Sequence, residues 1–226
     1  MVLLNPLQPP VSRDGELVVP RSGLVLDGGT VTISSDTGAV IAINCQDTEC
    51  TDPEARGARI DVSGTSAELD LPSDDMNVLE PREVWSDGGT VILGAGAGLL
   101  FRGHIDAHGG SDAASGGTLY LTPEVPLLST TDGFEGARRL YLSDAAGKLP
   151  PNAAPGKAID LTLGLFRFGA SKLRKSGIDS LVIGLDPAKG TPVPPVEVFL
   201  DDDLELNLGR SIIINTQALR SEEHTS

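Results

Sequence analysis

The phrase Asp27-Gly-Gly-Thr-Val31 recurs as Asp87-Gly-Gly-Thr-Val91 and, with serine in place of aspartate, as Ser115-Gly-Gly-Thr-Leu119. Each copy opens a short alternation of apolar and polar residues, the period-two pattern of a half-buried strand. A second phrase couples isoleucine to aspartate: Ile60-Asp61, Ile105-Asp106, Ile159-Asp160 and Ile178-Asp179. The spacing between copies is irregular, so the repeat is degenerate. A chain that returns again and again to one strand motif behind one glycine corner is strongly restricted: its strands are expected to stack copy upon copy.

Period-two segments lie at Thr30–Ser34, Ala39–Ile43, Arg59–Val62, Thr90–Leu93, Leu99–Arg102, His104–Ala107 and Thr118–Leu121. Further ones lie at Arg139–Leu142, Ala158–Leu163, Ile178–Ile183, Glu197–Leu200, Leu204–Leu208 and Ser211–Asn215. Nearly every gap holds Gly, Asp, Asn or Pro, the residues that favour turns. Only 4% of residues are aromatic while 27 are glycine, so a core must be built from Val, Ile, Leu and Ala. One helix is expected, Phe168–Ser176, with Gly177 placed to stop it. Thr51–Gly57, Ala67–Trp85 and Gly147–Gly156 carry proline and charge and read as loops protruding from the core. No linker divides residues 1–219, which read as one unit.

The degenerate repeat favours an all-β, right-handed parallel β-helix over a sandwich or a barrel. In such a solenoid each coil lies about 4.8 Å above the last, and its Ile and Val side chains continue interior ladders. A Gly-Gly pair before a strand suits a corner where a Cβ would clash or a positive φ is needed. At roughly 20 to 25 residues per coil, about eight or nine coils would form a rod roughly 40 Å long.

The formal net charge of −15 argues against nucleic acid and anionic membrane surfaces as partners. No apolar run approaches the roughly 20 residues of a membrane-spanning helix, so membrane insertion is not expected. The first residues lack the charged start and apolar stretch of a secretory signal. The final Arg220-Ser-Glu-Glu-His-Thr-Ser226 resembles the translation of a sequencing-library adapter, which would set the natural boundary near Leu219.

Candidate chemistry is sparse. His104, Asp106 and His108 share one face of a strand, because residues i, i+2 and i+4 point the same way, and zinc accepts such ligands. The same alternation sends Ile105 and Ala107 inward and leaves the histidines on the wet side. Three ligands on one flat strand converge poorly on a tetrahedral ion, so no metal and no cofactor is expected. Gly94-Ala-Gly-Ala-Gly98 has Leu99 where a dinucleotide loop needs its third glycine, and a strand follows where a helix should start. Cys45 and Cys50 are spaced for a small disulfide loop. Asp201–Asp203 and Ser73–Met76 offer carboxylates to calcium without matching a known calcium loop. Lys172, Arg174 and Lys175 form a basic cluster expected to face water. No nucleophile elbow or Cys, His and Asp set with a recognisable context is present, so catalysis is not expected.

The phrases GARIDVSG, SDGGTVILGAGAGLLFRGHIDAHGG with SGGTLYL, and SGIDSLVIG leading to LELNLGRSIIINTQAL resemble those of the filamentous haemagglutinin-like large exoproteins, the two-partner secretion adhesins. The resemblance covers most of Gly23–Leu219. It implies a parallel β-helix secreted to, or displayed on, the surface of a Gram-negative bacterium. It also implies passage through an outer-membrane transporter barrel, and a receptor or glycan on a host or neighbouring cell as eventual partner. The family's Asn-rich secretion domain is not visible, so the chain reads as an internal piece of a longer, non-enzymatic shaft. The alternatives are a carbohydrate-active β-helix enzyme, either polysaccharide lyase or glycoside hydrolase, and the stalk of a contact-dependent toxin.

Overall fold

The computed structural model describes residues 1–6, 8–13, 15–35, 38–42, 57–74, 78–96, 98–123, 139–144, 165–187, 190–192, 197–201 and 204–222. Among these residues the protein is all-β, and its one helical element is a short 3-10 turn, Ala170–Lys172. The N-terminal strands are β1 (Val2–Leu4), β2 (Val11–Arg13), β3 (Glu16–Val18) and β4 (Gly23–Val25). There follow β5 (Thr30–Ser35), β6 (Ala39–Ala42), β7 (Arg59–Asp61), β8 (Ser66–Pro72) and β9 (Leu79–Trp85). The middle of the chain supplies β10 (Thr90–Ala95), β11 (Gly98–Phe101), β12 (His104–Asp106) and β13 (Gly117–Pro123). Then come β14 (Arg139–Ser143), β15 (Leu165–Gly169), β16 (Ile178–Ile183), β17 (Leu185–Asp186) and β18 (Thr191–Pro192). β19 (Glu197–Asp201), β20 (Ser211–Ile214) and β21 (Ala218–Glu222) end the order.

Two parallel sheets and one parallel pair enclose the core. The first sheet runs β20-β16-β13-β10-β5 and aligns the repeated phrase with itself: Thr30, Thr90, Thr118, Ser180 and Ser211 occupy one row. Register is pinned because a slip of one residue would turn every apolar side chain outward. The inner row Val31, Val91, Leu119, Leu181 and Ile212 is followed two residues on by Ile33, Leu93, Leu121, Ile183 and Ile214. The second sheet runs β21-β19-β14-β15-β11-β6, also parallel. It supplies Leu99, Phe101, Phe166, Phe168, Leu140, Leu142 and Val198 to the same buried cluster. β7 and β12 pair in parallel and add Ile60 and Ile105. The middle members of both rows, from β10, β13 and β16, are enclosed, whereas the end members Ile33 and Ile212 are 39% and 45% exposed.

The repeated phrase has a direct physical reason. Asp27 Oδ1 accepts the Asp87 N–H at 3.2 Å, and Asp87 Oδ1 accepts the Ser115 N–H at 2.8 Å, so each carboxylate ties its corner to the next. A Cβ on Gly28 would lie 2.1 Å from Val62 O, and one on Gly88 would lie 2.1 Å from Ala107 O. Close backbone approach, and not left-handed φ, therefore requires glycine at these corners; the positive φ values fall at Gly15, Gly177, Gly184 and Gly190.

Several expectations need correction. Five strands form the repeat-bearing sheet among the described residues, fewer than the anticipated coils. The reason is that the stacked corners are 60 residues apart from Asp27 to Asp87, though only 28 from Asp87 to Ser115. The longer interval holds an antiparallel hairpin, β8 with β9, where a protruding loop was expected. The helix expected over Phe168–Ser176 shrinks to Ala170–Lys172, because Phe168 belongs to β15 and fills the core. Gly177 does end the turn, with φ +71°. Leu204, Leu206 and Leu208 pack against the core with the expected alternation, but Leu204–Leu208 forms no ladder among the described residues. Ala158–Leu163, residues 51–56 and Gly147–Gly156 lie outside the described residues.

Candidate functional site

The strongest cluster of ionisable side chains lies on the outer side of β7 and β12. The parallel register sets Arg59 beside His104, Ile60 beside Ile105, and Asp61 beside Asp106. Alternation then sorts these residues by chemistry. Ile105 and Ala107 are 0% exposed, while the side chain of His104 is about half exposed, so the histidines do lie on the wet side.

One guanidinium, Arg59, faces two carboxylates, Asp61 and Asp106. His104 Nε2 lies 3.0 Å from Asp106 Oδ1, and the Arg59 guanidinium lies 2.7 Å from Asp106 Oδ2. The latter is an ion pair whose angle falls outside hydrogen-bond geometry, although Asp106 Oδ2 itself is buried. Asp61 Oδ1 accepts the Ser63 N–H at 3.1 Å. That bond, helped by Ser63's side chain and by the charges of Arg59 and His108, holds the Asp61 carboxyl below the usual carboxylate range. Among the described residues no three His, Cys, Asp or Glu side chains converge to hold a metal ion. His104 and Asp106 therefore form a pair, and His108 stands apart from it, with Gly177 packed close against its backbone and ring.

Beside His108 the surface opens into a groove of about 440 Å³, lined by His108, Ser111, Asp112, Asp179 and bare glycine backbone. Asp179 is committed to structure, since its Oδ2 accepts the Gly116 N–H at 2.6 Å. The groove offers hydrogen-bonding groups and one exposed carboxylate, Asp112. Among the described residues its lining holds no Phe, Tyr or Trp face on which a sugar ring could stack.

On the outer side of the second sheet, Tyr141 and Phe199 stack with centroids 4.7 Å apart and planes 7° from parallel. The Arg167 guanidinium lies 5.8 Å from the Tyr141 ring centre. One face of Tyr141 is thus occupied by Arg167 and the other by Phe199. This ladder consolidates the sheet and leaves no open ring face on Tyr141 for a ligand.

The remaining candidates fall as follows. Gly94–Gly98 spans the end of β10 and the start of β11, a strand-to-strand step with no helix N-terminus to receive phosphate. Cys45, Cys50, Asp202, Asp203, Asp75 and Met76 lie outside the described residues. Arg174 and Lys175 are exposed, as expected, and Arg174 pairs with Asp144 at the surface. Sequence reasoning missed Arg59 as the counter-ion of Asp106. The available signal was the repeated Ile-Asp phrase, which brings Asp61 and Asp106 into register beside Arg59.

No family model, curated protein or solved structure matches the chain.

Proposed function

We propose that this chain is a segment of right-handed parallel β-helix. It serves as an extracellular, non-enzymatic shaft of a filamentous haemagglutinin-like exoprotein on a Gram-negative bacterium. The observation that carries the reading is the self-alignment of the Asp-Gly-Gly-Thr phrase. Strands 60 and 28 residues apart at their corners stack in parallel and in register, with each aspartate holding the next corner. Such a stack grows by adding layers to an existing edge. It therefore suits a chain that leaves an outer-membrane barrel unfolded and folds outside without ATP. The paired charges and the stacked aromatic faces suit a mechanical element, with adhesion carried by a receptor-binding or glycan-binding part elsewhere in the exoprotein.

The test is export of the full reading frame containing this chain, with and without its outer-membrane barrel. Surface protease should digest the chain only when the barrel is present. Retention inside the cell in both arms would sink the reading.

A second reading, a carbohydrate-active β-helix enzyme, is favoured by the groove beside His108. Cleavage of any member of a panel of acidic and neutral polysaccharides, abolished by Asp112→Asn, would replace the shaft with the enzyme. A stalk carrying a contact-dependent toxin shares the export test and differs only in what the reading frame encodes beyond the shaft.

A further inference from the structure

Both large sheets end in edge strands. β5 and β20 bound the first sheet at its two ends, and β6 and β21 bound the second; among the described residues no strand pairs with the outer side of any of the four. Soluble proteins commonly blunt such edges with charge or proline. Thr30–Ser35, Ala39–Ala42 and Ser211–Ile214 carry neither, in contrast to β9 with its Glu80, Pro81, Arg82 and Glu83. Each end therefore presents backbone N–H and C=O groups to a further strand.

The two ends are built alike, as a strand, a short corner and a second strand: Thr30 and Ala39 begin the strands at one end, Ser211 and Ala218 at the other. Register carried through the first sheet puts Thr30 and Ser211 in one row, and through the second puts Ala39 and Ala218 in one row. A copy translated along the stack thus lays its β5 on β20, Val31 against Ile212 and Ile33 against Ile214, and its β6 on β21, Val40 against Leu219. Both sheets continue in parallel with their apolar side inward. Exposure follows the same plan. Of the thirteen large apolar side chains exposed among the described residues, eight lie within Met1–Ile33 and three within Ile212–Leu219. Ile33, Ile212 and Leu219 are 39%, 45% and 56% exposed, whereas Leu93, Leu181 and Val198 in the same rows are 0% exposed because a layer covers them on each side. Charge agrees as well: Arg210, exposed and in no ion pair among the described residues, falls in the row of Gly29, two residues from the exposed Asp27 of the incoming copy.

We propose that the β20–β21 end of one copy binds the β5–β6 end of a second copy of this chain, head to tail. The contact is heterologous and does not close on itself, so copies join into an open filament. It depends on the stacked edges alone and not on export, so failure of the joint and failure of the shaft reading are separately visible.

Disulfide trapping in the full chain, with Cys45→Ser and Cys50→Ser, reads the joint directly. Thr32 and Ile213 share an outer row of the first sheet. Within one copy they are four strand steps apart, about 19 Å, too far for a disulfide, whereas across the joint they are neighbours at about 4.8 Å. A Thr32→Cys chain mixed with an Ile213→Cys chain should give a mixed disulfide dimer in excess of either self-linked dimer, and the chain carrying both cysteines should give a ladder of multimers on a non-reducing gel. In the cysteine-free chain, Ile212→Lys should weaken association in sedimentation by about tenfold or more, because it buries an unpaired charge in the joint. Its thermal melt shows whether it folds, and if it does not, the trap alone decides. A parent chain that stays monomeric at every concentration, self-linked dimers as abundant as the mixed one, or unchanged association of a folded Ile212→Lys overturns the proposal.

Discussion

At the scale of single residues, adjacent glycines of one phrase do different work. A Cβ on Gly28 meets Val62 O and the backbone of Gly89, whereas one on Gly29 meets nothing within 4 Å. Gly28→Ala is expected to cost about 1–3 kcal/mol by forcing two layers apart, and Gly29→Ala to be near neutral; paired thermal melts check both. Asp70 is the second residue of consequence. Its side chain is only 2% exposed, accepts from the Arg13 guanidinium at 2.9 Å and from the Arg21 N–H at 2.6 Å, and so ties the N-terminal strands to the β8–β9 hairpin. The Arg13 side chain first, and the Arg21 backbone N–H second, hold this carboxyl below its ordinary value. A depressed carboxyl stabilises the fold fully above its unfolded pKa of about 3.9, and that stability disappears as pH falls through the lower folded value. The single tryptophan, Trp85, ends the same hairpin and reports on it. Its fluorescence should change as acid is added below about pH 4, and Asp70→Asn should abolish that step while lowering stability by about 1–3 kcal/mol. An unchanged acid transition in Asp70→Asn would remove Asp70 from this role.

At the scale of elements, strands behind a glycine corner were legible because alternation and turn chemistry agree there. Thr30, Thr90 and Ile178 begin segments found nearly as expected. β9 was not legible: Glu80, Pro81, Arg82 and Glu83 give it no apolar face, and its pairing with β8 and the Asp70 anchor hold it instead. β15 was missed because Phe168-Gly-Ala-Ser begins a plausible helical stretch, and only the ladder with Phe101 shows that Phe168 faces inward. In the candidate site, the outward placement of His104 followed from period two, but its Arg59 and Asp106 partnership needed the register of two distant strands. The order of β14 and β15 was illegible in principle, since both carry the same alternation. Ile105, at 0% exposure in the two-stranded sheet, offers the sharpest test of element packing. Ile105→Ala should cost about 2–5 kcal/mol, whereas His104→Ala on the same strand should cost less than about 1 kcal/mol, as an exposed pair does; urea denaturation separates them.

At the scale of the whole molecule, a net charge of −15 opposes compaction. Salt screens this repulsion over about 8 Å at physiological ionic strength, so raising salt from low to physiological strength should raise the melting temperature by about 2–4 °C. A falling melting temperature would mean that the ion pairs outweigh the repulsion. The layers also differ in how much chain they enclose, yet the corners that join them are nearly the same. That uniformity has an engineering consequence. The β8–β9 hairpin, in which the Ser73 N–H donates to Val78 O at 2.9 Å, lies between β7 and β10, a stretch whose described strands join neither of the two large sheets. A foreign peptide spliced between Ser73 and Val78 would be carried as a passenger, displayed at a fixed point along the stack while the scaffold beneath it keeps its register.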